Sequence, residues 1–235
     1  MSQALFTRGL SSGYGPLQIL WDIDFMAQRA ETLVLLGSNG AGKTTFLKTL
    51  VGLIRPMRGE ITCLDQRIEA WSTDRRIRSG MAYMSELGVV PSLSIAENLT
   101  LGSYFQTTAA RKAQLHEMYD RFPDLAARKR TLAGSLSGGQ RKMLGIAKAL
   151  MSKPSILLLD EPSAGLSPLY VNQMIDLLRS LKQEAVTMII AEQNTKFLEL
   201  ADRVSVLESG RISFQGAVDD LTQNDTLRQA YFGIH

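Results

Sequence analysis

Short, uninterrupted apolar runs recur along this chain and alternate with stretches whose apolar residues return every three or four positions. Residues 32–36, 81–84, 155–160 and 186–191 are of the first kind, and runs of that length predict strands buried on both faces, as in a parallel sheet. Helices are predicted between them. Residues 45–51 follow the first run, and Met143, Ile146, Ala147 and Leu150 fall at i, i+3, i+4 and i+7. Val171, Met174, Ile175 and Leu178 repeat that spacing after Ser167-Pro168, a good helix start. Near the N-terminus, residues 4–10, 17–25 and 59–63 predict an antiparallel sheet beside the parallel one, and Ser209-Gly210 predicts the turn of a final hairpin. From Glu86 to Met151 the strand pattern gives way to helices. Ser94-Ile95-Ala96-Glu97 is a capping box, and Leu115, Met118, Tyr119 and Phe122 share a helix face that reads as core rather than binding surface. The fold class is α/β, a single domain over 1–235. Segments 1–86 and 152–235 form a core with an antiparallel β subdomain, and 87–151 is an inserted helical subdomain.

Bulk properties narrow this picture only slightly. At 235 residues and 45% hydrophobic, the chain is long enough for a large core that needs no covalent staples. Its one cysteine, Cys63, excludes an internal disulfide and fits a reducing compartment. No apolar run approaches the roughly 18 residues that span a bilayer, and the N-terminus has no basic segment followed by an apolar one, so the chain reads as cytosolic. The net charge of +3 is mild. The basic clusters Arg75-Arg76 and Arg128-Lys129-Arg130 are short and interleaved with acids, which fits solvated surface and not nucleic-acid binding.

The loop after the run 32–36 carries the most specific chemistry. Gly37-Ser38-Asn39-Gly40-Ala41-Gly42-Lys43-Thr44 fits G-x-x-x-x-G-K-[ST] between a strand and a helix, the order in which backbone N–H groups wrap the phosphates of ATP or GTP. The helix N-terminus aims its orphan N–H groups at the phosphates, Lys43 reaches the outer ones, and the Thr44 hydroxyl suits Mg²⁺. Thr45 continues the nucleotide-binding set into the helix. The fold expected of these parts is a P-loop NTPase (RecA-like) core.

Two further motifs follow. Leu136-Ser137-Gly138-Gly139-Gln140 opens the helix of Met143 and Ile146, with Ser137 and Gln140 as a capping box. Two glycines in a first turn lower helix propensity yet clear side chains from N–H groups that could meet an anion, so this start reads as a second phosphate site. The run 155–160 then ends in the pair Asp160-Glu161, at the strand end where α/β sheets place their chemistry. Asp160 suits an outer ligand to Mg²⁺, and Glu161 suits the general base that orients and deprotonates water.

The three motifs in this order resemble the nucleotide-binding subunit of ABC transporters, over the whole chain. The resemblance implies that Tyr14 stacks on adenine and that Ser163-Ala164-Gly165-Leu166-Ser167 communicates across a dimer. It also implies that Ser137, Gly138, Gly139 and Gln140 face the γ-phosphate held by a second ATPase subunit, so that two subunits sandwich two ATP molecules. Binding then closes the dimer, hydrolysis releases it, and transmembrane permease subunits are driven by the cycle.

Two residues depart from the general family pattern. Glu86 stands where glutamine usually contacts the metal or attacking water, and Gln193 stands where a histidine usually contacts the γ-phosphate. Glutamine can donate that hydrogen bond but cannot become cationic, and His116 and His235 read as surface residues. Both departures, the string Ala191-Glu192-Gln193-Asn194 and the ending Leu227-Arg228-Gln229-Ala230-Tyr231-Phe232-Gly233 are similar to the short ATPase subunit of branched-chain amino acid importers and their amide and urea relatives. Leu87-Gly88-Val89 differs from that branch, which usually has Gly-Arg-Arg there. The resemblance thus implies an ATPase at the cytoplasmic face of the inner membrane, peripheral to it, assembled with permeases and a solute-binding protein. The alternatives are the ATPase of an exporter for lipid or lipopolysaccharide, or a non-transport ABC ATPase acting on nucleic acid.

Overall fold

The apolar runs become strands of one sheet, three of them inner and 81–84 at its edge. A computed structural model describes residues 3–223; the ending 227–233 and His235 lie outside the described residues. In chain order the elements are β1 (Gln3–Tyr14), β2 (Leu17–Gln28), β3 (Thr32–Leu36), α1 (Lys43–Val51), β4 (Arg58–Cys63), β5 (Gln66–Arg67), α2 (Thr73–Arg78) and β6 (Met81–Met84). Then come α3 (Ile95–Gly102), α4 (Thr108–Arg121), α5 (Pro123–Ala127), α6 (Gly138–Leu150), β7 (Ile156–Asp160), α7 (Pro168–Gln183), β8 (Thr187–Glu192), β9 (Arg203–Glu208), β10 (Arg211–Gly216) and α8 (Val218–Gln223).

The main sheet has the order β10-β9-β3-β8-β7-β6, parallel except for β10. Strands β3, β7 and β8 are buried along their length and apolar between their end residues because both faces are covered. Val34, Leu36, Leu157, Leu159, Met188 and Ile190 enter one core, shared with α3 to α7. Leu33, Leu35, Ile156, Leu158, Ile189 and Ala191 enter a second core with Phe46, Leu47 and Leu50 of α1. The antiparallel sheet β2-β1-β4-β5 closes that second core with Leu5, Leu20, Ile23, Phe25 and Ile61. Between β6 and β7 the chain runs through α3 to α6. On α4, Met118 and Phe122 after it are buried, and Leu115 and Tyr119 pack partly buried against the same core, as the helix stripe predicts. Among the described residues no helix is long and apolar enough to cross a membrane.

Boundaries shift where the backbone turns sharply. Helix α1 begins at Lys43, two residues before the apolar pattern places it, because Gly42 caps it with φ +108°, a conformation open to glycine and strained for other residues. Strand β1 runs on to Tyr14 through irregular pairing with β2. Strand β7 stops at Asp160, and Glu161 already has φ +46°.

A buried arginine secures the far end of α1. Arg76 is 1% exposed and donates to the carbonyls of Thr49 and Leu50 at 2.8 and 2.7 Å and of Trp71 and Glu69 at 3.2 and 3.1 Å. The first two belong to the last turn of α1, whose carbonyls lack helical partners and carry the negative end of the helix dipole. Arg76→Met is expected to cost about 3 to 5 kcal/mol, the scale of breaking a buried charged network. Urea unfolding measures it, and a loss under about 1 kcal/mol would show that water replaces the guanidinium at these carbonyls.

Candidate nucleotide site

Parallel strands bring their carboxyl ends to one edge of the sheet, and every predicted catalytic group leaves the sheet there. Strand β3 delivers the loop from Gly37 to Thr44, β6 precedes Glu86, β7 ends in Asp160 with Glu161 directly after it, and β8 precedes Gln193. Together they border an open cleft of about 650 Å³ whose lining includes Lys43, Thr44, Thr45, Glu86, Glu161 and Gln193. Asn39, Gly40 and Gly42 supply the loop side of the same cleft, and Ala164 and Gly165 the side after β7. This is the crevice outside strand ends where such sheets bind ligands.

Lys43 is buried at 3% exposure, and its Nζ donates to the carbonyls of Gly37 and Ser38 at 2.7 and 3.1 Å. The same ammonium lies 3.0 Å from Glu161 Oε1. A cation and the predicted base thus sit in contact on the cleft wall. Thr44 donates its hydroxyl to Asp160 Oδ1 at 2.9 Å, and the Tyr83 hydroxyl donates to Oδ2 at 2.8 Å. Asp160 is 1% exposed, and burial pushes its carboxyl above the usual carboxylate range against the pull of those two hydrogen bonds. The Gln193 amide donates to Asn39 Oδ1 across the mouth of the cleft, so its second N–H is free to serve an incoming oxygen.

Residues that periodicity and motif did not single out hold this arrangement. Glu192, 2% exposed, accepts the Ser163 amide at 2.8 Å on one oxygen and the amides of Gln193 and Asn194 at 3.1 and 3.2 Å on the other. It ties the loop after β7 to the turn after β8. Lys142, 8% exposed on α6, donates to the Glu161 carbonyl at 2.7 Å. Ile19 of β2 also lines the cleft. The signals were faint: an acid closing an apolar strand, and a lysine within the buried stripe of an amphipathic helix. Tyr14 sits half-exposed at the end of β1, outside the cleft's lining.

The second glycine motif lies apart from the cleft. Ser137 and Gln140 form the predicted capping box, with reciprocal bonds of 3.2 and 3.1 Å. Gly138 is exposed, and a Cβ built there would meet nothing within 4 Å. Gly139 is buried, and a Cβ there would stand 2.4 Å from the Tyr170 ring of α7, so close packing of α7 on α6 is a second reason for glycine at that position. Gln140 borders a separate cleft of about 340 Å³ together with Tyr170 and Arg121.

Comparison with known proteins places the chain in a family. Residues 20–164 match the family described as ABC transporter. The chain is 38% identical over 226 residues to the high-affinity branched-chain amino acid transport ATP-binding protein BraG of Pseudomonas aeruginosa, covering 95% of this chain and 97% of that protein. It is 34% identical over 233 residues to the probable branched-chain amino acid transport ATP-binding protein LivF of Archaeoglobus fulgidus, covering 98% and 99%. Among solved structures, an ATP-binding subunit of an ABC transporter superposes with a TM-score of 0.81 at 28% identity, covering 98% of this chain and 96% of that one. The family match spans the phosphate loop, the glycine helix start and the paired carboxylates, and both relatives align over nearly the full chain: the chain belongs to the ABC transporter family, as an ATPase subunit.

Proposed function

We propose that this chain hydrolyses ATP to power import of branched-chain amino acids or a related small polar solute, as one of two ATPase subunits bound to transmembrane permeases. The observation that carries the reading is the shared cleft of Lys43, Thr44, Glu161 and Gln193, with an exposed Gly138 outside it. The cleft supplies cation, hydroxyl, base and amide to one triphosphate, and the exposed helix start is a complementary surface for the triphosphate of a second copy or of a companion ATPase subunit.

Lys43 and the loop amides bind and orient the phosphates, and Glu161 takes the proton of the attacking water. Gln193 donates to a γ-phosphate oxygen. Thr44 and Asp160 are hard oxygen donors already in contact, a set that suits Mg²⁺, with Glu86 at the rim as a further oxygen. Among the described residues no group of three or more His, Cys, Asp or Glu forms a cage of its own, in keeping with an ion held by one or two side chains plus substrate phosphates. An ion held by Thr44 and Asp160 would supply neutralisation of charge developing on the phosphoryl oxygens.

The solute class rests on the likeness to BraG and LivF over nearly the full chain, and with it go a solute-binding protein and a position at the cytoplasmic face of the membrane. In vesicles holding the complete complex, ATP hydrolysis is expected to rise several-fold when a binding protein loaded with leucine is added. Stimulation by none of the branched-chain amino acids, amides or urea would overturn the solute assignment and leave the ATPase standing.

A further inference from the structure

Helix α6 reaches toward both anion sites. Its first residue, Gly138, is exposed to whatever docks outside, and Lys142 lies four residues on, about 6 Å along the axis. From there its Nζ donates to the Glu161 carbonyl at 2.7 Å. The Glu161 amide in turn donates to the Ala191 carbonyl of β8 at 2.9 Å. The base is therefore held on both sides of its Cα in a left-handed conformation, φ +46°, that a non-glycine residue keeps only when its surroundings impose it. Glu86, Glu192, Glu161 and Asp160 all place negative charge toward Lys142, so the lysine also balances the acids gathered at the strand ends. A second contact joins α6 to the cleft. Gly145 packs against Gly88, close enough that a Cβ on Gly145 would stand 3.2 Å from the Gly88 Cα, and Gly88 is two residues beyond Glu86.

We propose that Lys142 is a positioning residue linking the two nucleotide sites of the dimer: engagement of Gly138 by the neighbour's nucleotide is transmitted through one turn of α6 to the main chain of Glu161, which acts on the chain's own nucleotide. The inference rests on the two-subunit reading above and deepens it. A shift of α6 by a fraction of an ångström moves the Lys142 ammonium relative to the Glu161 carbonyl, whose other donor, the Ala164 amide at 3.2 Å, belongs to the same loop. Misplacement of a catalytic group on the 1 Å scale is worth as much as about a hundredfold in rate.

The test compares Lys142→Gln and Lys142→Arg in the reconstituted transporter complex. Glutamine is too short to keep the bond, and arginine retains a charged donor. Lys142→Gln is expected to lower kcat by roughly tenfold to a hundredfold, leave KM for ATP within about twofold, and bring the Hill coefficient for ATP toward one. Lys142→Arg should retain most of kcat and the cooperativity. A Lys142→Gln complex with wild-type kcat, or with reduced kcat and unchanged cooperativity, overturns the linkage. Should Lys142→Gln fail to fold, hydrogen exchange in the wild-type complex decides: amides of 161–165 are expected to slow on ATP binding together with those at the start of α6, and independent behaviour of the two segments overturns it. ATP-driven pairing of the Glu161→Gln chain tests the two-subunit reading separately, so the two ideas fail by different results.

Discussion

Glu161→Gln is expected to lower ATP turnover by roughly 10² to 10⁴, the usual contribution of a positioned general base, while ATP binding persists. The substitution keeps the shape of the side chain and removes its charge and its ability to accept the proton of water. The binding apparatus stays intact, since Lys43 keeps its bonds to the Gly37 and Ser38 carbonyls, and the Thr44 to Asp160 contact does not involve Glu161. Loss of the 3.0 Å ion pair also frees the Lys43 ammonium for phosphate, so affinity for ATP should hold or rise. Single-turnover hydrolysis and equilibrium ATP binding separate the two effects. Turnover within about threefold of wild type would remove Glu161 from the chemistry.

Lys43→Ala is expected to act on the other quantity and weaken ATP binding by about a hundredfold, or about 2.8 kcal/mol, as two charged hydrogen bonds to phosphate are lost. The residue is buried at 3% exposure, so a fall in stability accompanies the loss. Thermal unfolding without nucleotide measures that part, and titration with ATP measures the rest. Unchanged ATP affinity in a folded variant would contradict the assignment of the loop.

Much of this site was readable before any coordinates, because its parts are local in sequence. Strand β3, loop and α1 form one continuous stretch, and the two capping boxes span four residues each, so spacing alone specified them. The strands that lead to Asp160-Glu161 and to Gln193 declared themselves by unbroken apolar runs. The remainder depends on contacts between distant segments. Nothing near Glu192 in sequence says that its carboxylate will receive the Ser163 amide, and nothing near Lys142 says that it will meet the carbonyl of Glu161. The same holds for Gly139, whose neighbour Tyr170 arrives from α7, and for Tyr83, whose hydroxyl finds Asp160 only when β6 and β7 pair. The resemblance implies that Tyr14 stacks on adenine; Tyr14 stands at the end of β1, and Ile19 of the neighbouring strand lines the cleft.

The core on the helical side of the main sheet has a mechanical consequence. Val34, Leu36, Leu157 and Leu159 interlock with Ile95, Leu99, Met118 and Phe122 in one unbroken apolar mass, and close-packed interiors do not open without exposing that surface. Any displacement of α3 to α5 against the strands must therefore be a glide of packed layers past one another, limited to the travel that interdigitated side chains tolerate by switching rotamers. Travel of that kind comes in discrete steps rather than as a continuous swing, because packed interfaces have a few stable arrangements and not a continuum.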